Sequence, residues 1–450
     1  VNETTEKMVK TVVVGLGKSG YAAARFLHER GVAVAVTDSR VTPPELYRAR
    51  ETLPDLPLFL GGFDEKALAQ AERIVISPGV AQSEPAIAAA IAKGVPVIGE
   101  IELFAQFATA PVVGITGSNG KSTVTTLVGN MTREAGLNVA VGGNLGTPAL
   151  DLINDPEPQA YVLELSSFQL ETVSSLSVHA GVVLNVSEDH MDRYDDMACY
   201  LEAKLKLFNG SGIIVNNLDE PLLRDRISAF PKERGIIAYS LQDQQGCDLT
   251  LREKEGKTWI FGFGEWILPV SEVRVPGRHN LSNILAALAL ADTLGVPTEA
   301  AAEAIRKFRG LPHRTQWITE QKGVTWYNDS KGTNVGATIA AVNGLHGPVV
   351  LIAGGDGKGA DFSPLAKALQ GKVKAVILIG RDGPVIAEAI GEAVPVEMAT
   401  TLEDAVKKAA AVAVSGDNVI LSPACASFDM FDNYVQRGKL FTQAVMEMAR

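Results

Sequence analysis

Apolar, β-branched runs separated by helical stretches recur along this chain, and that rhythm constrains its fold more than any other feature. Between residues 11 and 98 it reads "TVVVG", "GYAAARFLHERG", "VAVAVTD", "RIVISPG" and "VPVIGE". Strands of this kind alternating with helices build βαβ units and parallel sheets. A second series begins at Pro111 with "PVVGIT", "NVAVGGN", "AYVLELS", "AGVVLNV" and "GIIVNN". It runs into residues 248–275, whose alternating polar and apolar residues predict antiparallel hairpins, and then into the helix "NLSNILAALALADTLG". After "FRGLPHR" (residues 308–314) a third series follows: "VTWYNDS", "PVVLIAGG", "VKAVILIG", "VPVEMA" and "NVILSPA". A chain of 450 residues exceeds what one core supports. Linkers are expected near 96–100 and 308–314, giving domains at 1–98, 99–311 and 312–450.

Composition narrows the partners. With 41 basic and 52 acidic residues the formal charge is −11, which argues against a nucleic-acid or anionic-membrane surface but leaves room for a local basic pocket. The three cysteines, Cys199, Cys247 and Cys425, are far apart and in no metal-ligand spacing, as expected for free thiols in a reducing compartment. The polar opening "VNETTEKMVK" leads directly into a strand, so no signal peptide is expected. No run approaches the roughly 18 apolar residues of a membrane span. A cytoplasmic protein is the expectation.

Two glycine-rich turns carry the first chemistry. Gly15-Leu16-Gly17-Lys18-Ser19-Gly20 is a complete G-x-G-x-x-G between strand and helix, and Asp38 ends the next strand. This is the dinucleotide fingerprint, although backbone amides at a helix N-terminus accept the pyrophosphate of any nucleotide. The second turn, "VVGITGSNGKST" (residues 112–123), misses the register of G-x-x-x-x-G-K-[ST]: that pattern needs glycine where Ile115 stands. It still joins a strand to an amphipathic helix, and it sets Lys121, Ser122 and Thr123 at the first helical positions. Lysine is unfavourable there against the helix dipole unless it meets an anion. A loop for ATP phosphates follows, with Lys121 on the terminal phosphates and a hydroxyl on Mg²⁺. Glu164, at the end of "AYVLE", is the first metal candidate, and "SEDHMDRY" sets Asp189, His190 and Asp192 in the loop after the next strand.

The fold class expected is therefore α/β in three domains. A Rossmann-like N-terminal domain precedes a central P-loop-type mononucleotide-binding α/β domain with a small antiparallel β patch, and a Rossmann-like α/β domain ends the chain. In the last, "NDSKGTN" (Asp329, Lys331, Thr333), "AGGDGKGAD" (Lys358) and "SPACASFDMFDNY" (Ser427) each follow a strand. Three such loops make one rim suited to carboxylate or phosphate.

Taken together, "GITGSNGKST", "LELSSFQLE", "NVSEDHMDRY", "LPHR", "YNDSKGTN" and "SPACASFDMF" resemble the Mur ligase family from about residue 10 to the end. The family's loop is T-G-x-x-G-K-[ST], met here from Thr116 to Ser122, so the odd register is the family's own. The resemblance implies ATP-driven addition of D-glutamate to UDP-N-acetylmuramoyl-L-alanine through an acyl phosphate, in peptidoglycan precursor synthesis. It implies that Gly117, Ser118, Asn119, Gly120, Lys121, Ser122 and Thr123 cradle ATP, with Asn280, Arg314 and Asp329 as further nucleotide contacts. Two Mg²⁺ ions are implied, one on Ser122 and Glu164, the other on His190 and Lys204. Lys204 would serve as its carbamate, because an ammonium repels Mg²⁺ whereas a carbamate is an oxygen ligand. Without the resemblance Lys204 reads as a solvated helix lysine. Lys18, Ser19, Asp38, Ser39, Arg40 and Gly79 would contact the UDP part of the substrate, with Asn144 and His190 on its muramoyl side. Thr333, Lys358, Ser427 and Tyr434, the last where phenylalanine is expected, would hold D-glutamate. Lys121, Glu164, His190 and Lys204 form the implied catalytic set, in a monomer without nucleic-acid or membrane partner.

Other readings stay open at this level. The missing D-N-P-R motif disfavours the diaminopimelate- or lysine-adding Mur ligases, and folylpolyglutamate synthetases lack a first domain like residues 1–98. An NAD-dependent dehydrogenase accounts for residues 15–38 but leaves the second phosphate loop and Glu164 unexplained. A P-loop motor or switch accounts for that loop but lacks its usual acidic pair.

Overall fold

The computed structural model describes residues 11–187, 193–210, 212–231 and 234–448. Among the described residues twenty strands form three sheets, one for each series read from the sequence. The first sheet holds β1 (Thr11–Val14), β2 (Val34–Asp38), β3 (Leu58–Leu60), β4 (Arg73–Ile76) and β5 (Val97–Gly99), in the parallel order β3-β2-β1-β4-β5. Its strand order reverses between β1 and β4, and ligands of open α/β sheets bind outside the carboxyl ends of strands at such a point. Val12, Val14, Ile74 and Ile76 bury one face, while Val13 and Val75 bury the other.

The second sheet comprises β6 (Val112–Thr116), β7 (Val139–Gly143), β8 (Ala160–Glu164), β9 (Ala180–Val183), β10 (Ile213–Asn217), β11 (Ile236–Tyr239), β12 (Leu249–Lys254), β13 (Lys257–Gly262) and β14 (Glu265–Pro269). The order β14-β13-β12-β11-β10-β9-β6-β8-β7 places β6 between β8 and β9. The expected antiparallel patch is β12–β14. Its turns are two residues long, Glu255-Gly256 and Phe263-Gly264, all four at positive φ, as tight hairpins require.

The expected linker near 96–100 is not an irregular segment. Strand β5 passes directly into a helix, Glu100–Ala105. Ile101, Leu103 and Phe104 of that helix join one apolar cluster with Val13 and Leu27 of the first sheet's layer and Val112 and Tyr161 of the second. Phe104 meets Tyr161 edge-on at 4.9 Å. The reason is plain in "EIELFA": Ile101, Leu103 and Phe104 are wholly buried and need a partner on each side.

The third sheet contains β15 (Gln316–Gln321), β16 (Val324–Asn328), β17 (Val349–Gly354), β18 (Val373–Ile379), β19 (Val396–Met398) and β20 (Asn418–Leu421), ordered β15-β16-β20-β17-β18-β19. Only β15 runs antiparallel to its neighbour. Alternate residues of β17 bury opposite faces, Leu351 in one cluster and Val350 and Ile352 in the other, as helices covering both sides demand. The chain divides into two compact units: Val1–Glu255, Trp259–Ile267 and Asn283–Ala304 form one, the remainder the other. Among the described residues no helix is long and apolar enough to cross a membrane.

Candidate active site

The turn after β6 is a backbone cradle. Gly117 (φ +152°) leaves the strand and Gly120 (φ +84°) enters the helix Lys121–Glu134 in the left-handed region. A Cβ at Gly120 would collide with the side-chain amide of the buried Asn283, so only glycine fits. Ile115, where the common pattern has glycine, lies inside β6 paired with Glu164. The turn is clasped from β9's end: Ser118 N donates to Asn185 O (3.0 Å), Asn119 N to Asn185 Oδ1 (2.8 Å) and Ser187 N to Ser118 Oγ (3.0 Å). No side chain caps the helix that begins at Lys121. Its first-turn N–H groups, including those of Ser122 and Thr123, therefore face the space above the turn without intrahelical acceptors.

Two lysines converge on this cradle. Lys121 Nζ donates to Gly117 O (2.8 Å) and Ser118 O (2.9 Å), and Lys204 Nζ donates to the same Gly117 O (3.0 Å). Lys204 is only 1% exposed and lies 4.2 Å from the Tyr200 ring centroid. Two cations on one acceptor are within about 6 Å and repel by roughly 3 kcal/mol at an effective dielectric of 20.

Glu164 stands at the tip of β8, next to the cradle's own strand. Asn144 Nδ2 donates to its Oε1 (2.8 Å), while the buried Oε2 has no hydrogen-bond partner among the described residues. An orphaned carboxylate oxygen beside a hydroxyl-bearing phosphate loop suits a hard cation such as Mg²⁺. No group of three or more His, Cys, Asp or Glu forms a self-sufficient metal site among the described residues. His190, Asp189 and Asp192 lie outside the described residues.

At the switch point of the first sheet a pocket of about 490 Å³ gathers Lys18, Ser19, Asp38, Ser39, Arg40 and Gly79 with Gly15, Ser77 and Pro78. Its floor is tight: a Cβ on Gly20 would overlap Gly15 O, and Ser77 Oγ donates to that oxygen at 2.9 Å. Asp38 is fully engaged. Leu16 N (2.6 Å) and Arg40 Nη2 (2.7 Å) donate to Oδ2, and Arg40 N and Nε (both 2.9 Å) to Oδ1. Burial pushes its pKa up, but the Arg40 and backbone donors outweigh this and hold it below the usual range. The acid of the fingerprint thus fixes the glycine turn and aims Arg40, rather than offering both oxygens to a ribose as a dehydrogenase requires. Ser19 faces Glu100, whose carboxyl burial drives up to about 7 against the pull of the Leu150 N–H and the Ser19 side chain.

The third sheet's tips carry the remaining predicted residues. Burial pushes Asp329 up to about 6, despite Ser422 Oγ (2.7 Å) and Thr315 N (2.9 Å) donating to it and Arg314 lying near. The loops after β17 and β20 pair through Asp356 and Ala426. Lys358 is exposed at φ +51°, its ammonium 5.4 Å from the Phe428 ring, while Ser427 is buried beside it in sequence. Tyr434 opens the helix Tyr434–Met448, its carbonyl accepting from Ser330 Oγ (2.8 Å) and its ring 5.6 Å from the Lys331 ammonium. Thr333 is exposed at the end of the same "SKGT" turn. Asn280 Nδ2 donates to Pro276 O (2.6 Å).

Sequence reasoning passed over four residues that hold these sites. Asn185 clasps the phosphate turn, Asn283 packs on Gly120, and Arg193 reaches from the loop after β9 to Pro78 O (3.2 Å). Arg437 is wholly buried and donates to Ser330 O and Oγ, Cys425 O and Ala426 O, tying two loops of the rim together. Burial lowers its pKa to about 10. Nothing in "VQRGKLF" distinguishes it from a surface arginine.

Comparison with known proteins covers the whole chain. Family profiles match residues 9–99 (Mur ligase MurD-like, N-terminal domain), 115–291 (Mur ligase middle domain) and 313–425 (Mur ligase, glutamate ligase domain). The UDP-N-acetylmuramoylalanine–D-glutamate ligase of Nitrosococcus oceani is 50% identical, covering 100% of this chain and 99% of its own. The enzyme of the same name from Methylococcus capsulatus is 49% identical over 98% of this chain and 95% of its own. Among solved structures, the UDP-N-acetylmuramate–alanine ligase of Thermotoga maritima superimposes with a TM-score of 0.56 at 18% identity, over 98% of this chain and 99% of that one, a likeness of fold alone.

Proposed function

The chain belongs to the Mur ligase family, and from that premise we propose that it joins D-glutamate to UDP-N-acetylmuramoyl-L-alanine, converting ATP to ADP and phosphate, in peptidoglycan precursor synthesis. Two relatives of that name, at 50% and 49% identity over nearly the full length, support the choice within the family. The observation that carries the chemistry is the meeting of Lys121 and Lys204 on one carbonyl of the phosphate turn, with a Glu164 oxygen on the adjacent strand that has no partner among the described residues.

A carboxylate is a poor electrophile, so the alanyl carboxylate oxygen first attacks the γ-phosphorus of ATP and ADP leaves. The amine of D-glutamate then attacks the acyl carbon, and phosphate departs from the tetrahedral intermediate. Charge builds on phosphoryl oxygens in the first step. The first-turn N–H groups of the helix that begins at Lys121 would meet that charge, joined by the Lys121 ammonium once it leaves Gly117 O and Ser118 O. Ser122 and Glu164 would hold one Mg²⁺, and His190 with the Lys204 carbamate a second; bound there, the ions neutralise the β- and γ-phosphates. Neutral Lys204 amine and CO₂ give that carbamate with loss of a proton.

The 490 Å³ pocket takes the UDP moiety, Arg40 and the Lys18 turn facing its phosphates, and Asn144 lies on the muramoyl side. Thr333, Lys358, Ser427 and Tyr434 take D-glutamate, and Asn280, Arg314 and Asp329 contribute to the nucleotide. We assign domains 1–98, 99–311 and 312–450 to these three ligands, in a cytoplasmic monomer without nucleic-acid or membrane partner. The test is phosphate release: it should need ATP, UDP-N-acetylmuramoyl-L-alanine and D-glutamate together. Turnover unchanged when either acceptor is omitted refutes the proposal.

A further inference from the structure

The sugar-nucleotide pocket and the phosphate turn stand on different sheets of one compact unit, yet the reaction needs them in fixed register. A chain of contacts through Arg193 joins them. Arg193 Nη1 donates to Pro78 O (3.2 Å), on the pocket's outer wall, and Nη2 donates to Glu171 Oε2 (2.6 Å). Its guanidinium lies 4.4 Å from the Phe168 ring centroid. The ion pair is well shielded, with side-chain exposures of 17% and 19%.

From Glu171 the contacts continue to the cradle. Tyr194 OH donates to Glu171 Oε1 (2.6 Å), the Tyr194 ring lies 5.1 Å from that of Tyr200, and Tyr200 OH is 3.3 Å from Ser118 Oγ in the phosphate turn. On the other side, Ser77, next to Pro78, bonds Gly15 O in the glycine turn. Between Pro78, Phe168 and Arg193 the remaining void is about 10 Å³, room for no more than one water. The junction is therefore filled and has little freedom to slide.

We propose that Arg193 is a positioning residue: it fixes residues 77–80 of the sugar-nucleotide pocket against the phosphate turn, so that the alanyl carboxylate is delivered in register with the γ-phosphate. This rests on reading the 490 Å³ pocket as the UDP site. Arginine suits the role because its planar fork bonds two acceptors while stacking on an aromatic face, which a lysine cannot do at once.

The test is calorimetric titration of UDP-N-acetylmuramoyl-L-alanine, and separately of a non-hydrolysable ATP analogue with Mg²⁺, into wild type, R193Q, R193K and E171Q, each with its thermal midpoint. R193Q should weaken sugar-nucleotide binding about tenfold, the order of one charge-assisted hydrogen bond, and change analogue binding less than about twofold. R193K should recover the midpoint but not the sugar-nucleotide affinity, since its ammonium can face Glu171 without holding Pro78 O. E171Q should lose the same affinity, with no further loss when combined with R193Q. Sugar-nucleotide affinity that is unchanged, that falls together with analogue affinity, or that tracks the midpoint across the set overturns the assignment. If R193Q does not fold, R193K and E171Q decide by the same criteria. Wild type that binds no UDP-N-acetylmuramoyl-L-alanine refutes the functional reading itself; wild type that binds while every folded variant binds equally well refutes only the role of Arg193.

Discussion

Glu164→Gln should make the ligand-free protein more stable and the enzyme nearly inactive. The side chain keeps its shape, and Asn144 can still donate to the oxygen that replaces Oε1. What changes is the second oxygen, buried and without a hydrogen-bond partner among the described residues. A buried unsatisfied polar atom costs about 1–3 kcal/mol, with charged groups at the upper end. Replacing it by a neutral amide should recover about 1–2 kcal/mol of that, or about 1–2 °C in the thermal midpoint of a protein this size. The same oxygen is the one proposed to hold Mg²⁺, so phosphate release should fall by about 10²–10³-fold, the usual loss when one electrostatic stabiliser is removed. Scanning fluorimetry in metal-free buffer and again with Mg²⁺ and a non-hydrolysable ATP analogue reads both effects. Wild type should gain more from the added ligand than the variant. An E164Q protein that melts below wild type without ligand, and gains as much as wild type with it, refutes the reasoning.

Lys204→Ala should abolish activity, and added bicarbonate or a short carboxylic acid should partly restore it; a fully active variant contradicts the carbamate. Arg40→Ala should raise KM for the UDP substrate while leaving KM for ATP nearly unchanged, because Arg40 lines the first sheet's pocket; equal effects on both would place it elsewhere. Asp329 has a folded pKa of about 6 against 3.8 unfolded, so the fold prefers its neutral form. Stability from this group is complete below pH 3.8 and lost as pH rises through about 6, a change of roughly 3 kcal/mol. Denaturant titrations of D329N should lack this decline between pH 4 and 6, and an equal decline in the variant would assign it to other groups.

The sheets were largely legible because most of their strands are apolar runs followed by glycine or by a helix. Three escaped. Strand β3, "LFL", is a three-residue edge; β11, "IIAY", is short and half exposed; and β15, "QWITEQ", is a polar edge strand lying just past the expected linker. The expected linker at 96–100 was read from "VPVIGE" ending a βα series; what the sequence did not show is that the following "IELF" buries its apolar residues in one cluster with both sheets' layers. At the site, residues contiguous in sequence were recoverable: Gly117 to Thr123 form the turn, and residues 15–20, 38–40 and 79 line one pocket. Contacts created by strand order were not. Asn144 reaches Glu164 because β7 pairs β8, and Asn185 clasps the phosphate turn because β9 pairs β6. No local pattern encodes either. Lys204 sits in a helix with charged neighbours, and only its place behind Gly117 reveals that it is buried.

The central claim is that residues 117–123, Lys121 and Glu164 form one triphosphate–magnesium cradle. A crystal structure with Mg²⁺ and a non-hydrolysable ATP analogue tests it most directly. The expected result is Lys121 swung from Gly117 O and Ser118 O onto the β- and γ-phosphates, backbone N–H groups of the turn on the same oxygens, and metal density bonded to Glu164 Oε2. A nucleotide bound elsewhere, with Lys121 still on its own carbonyls and Glu164 Oε2 bare, would contradict it.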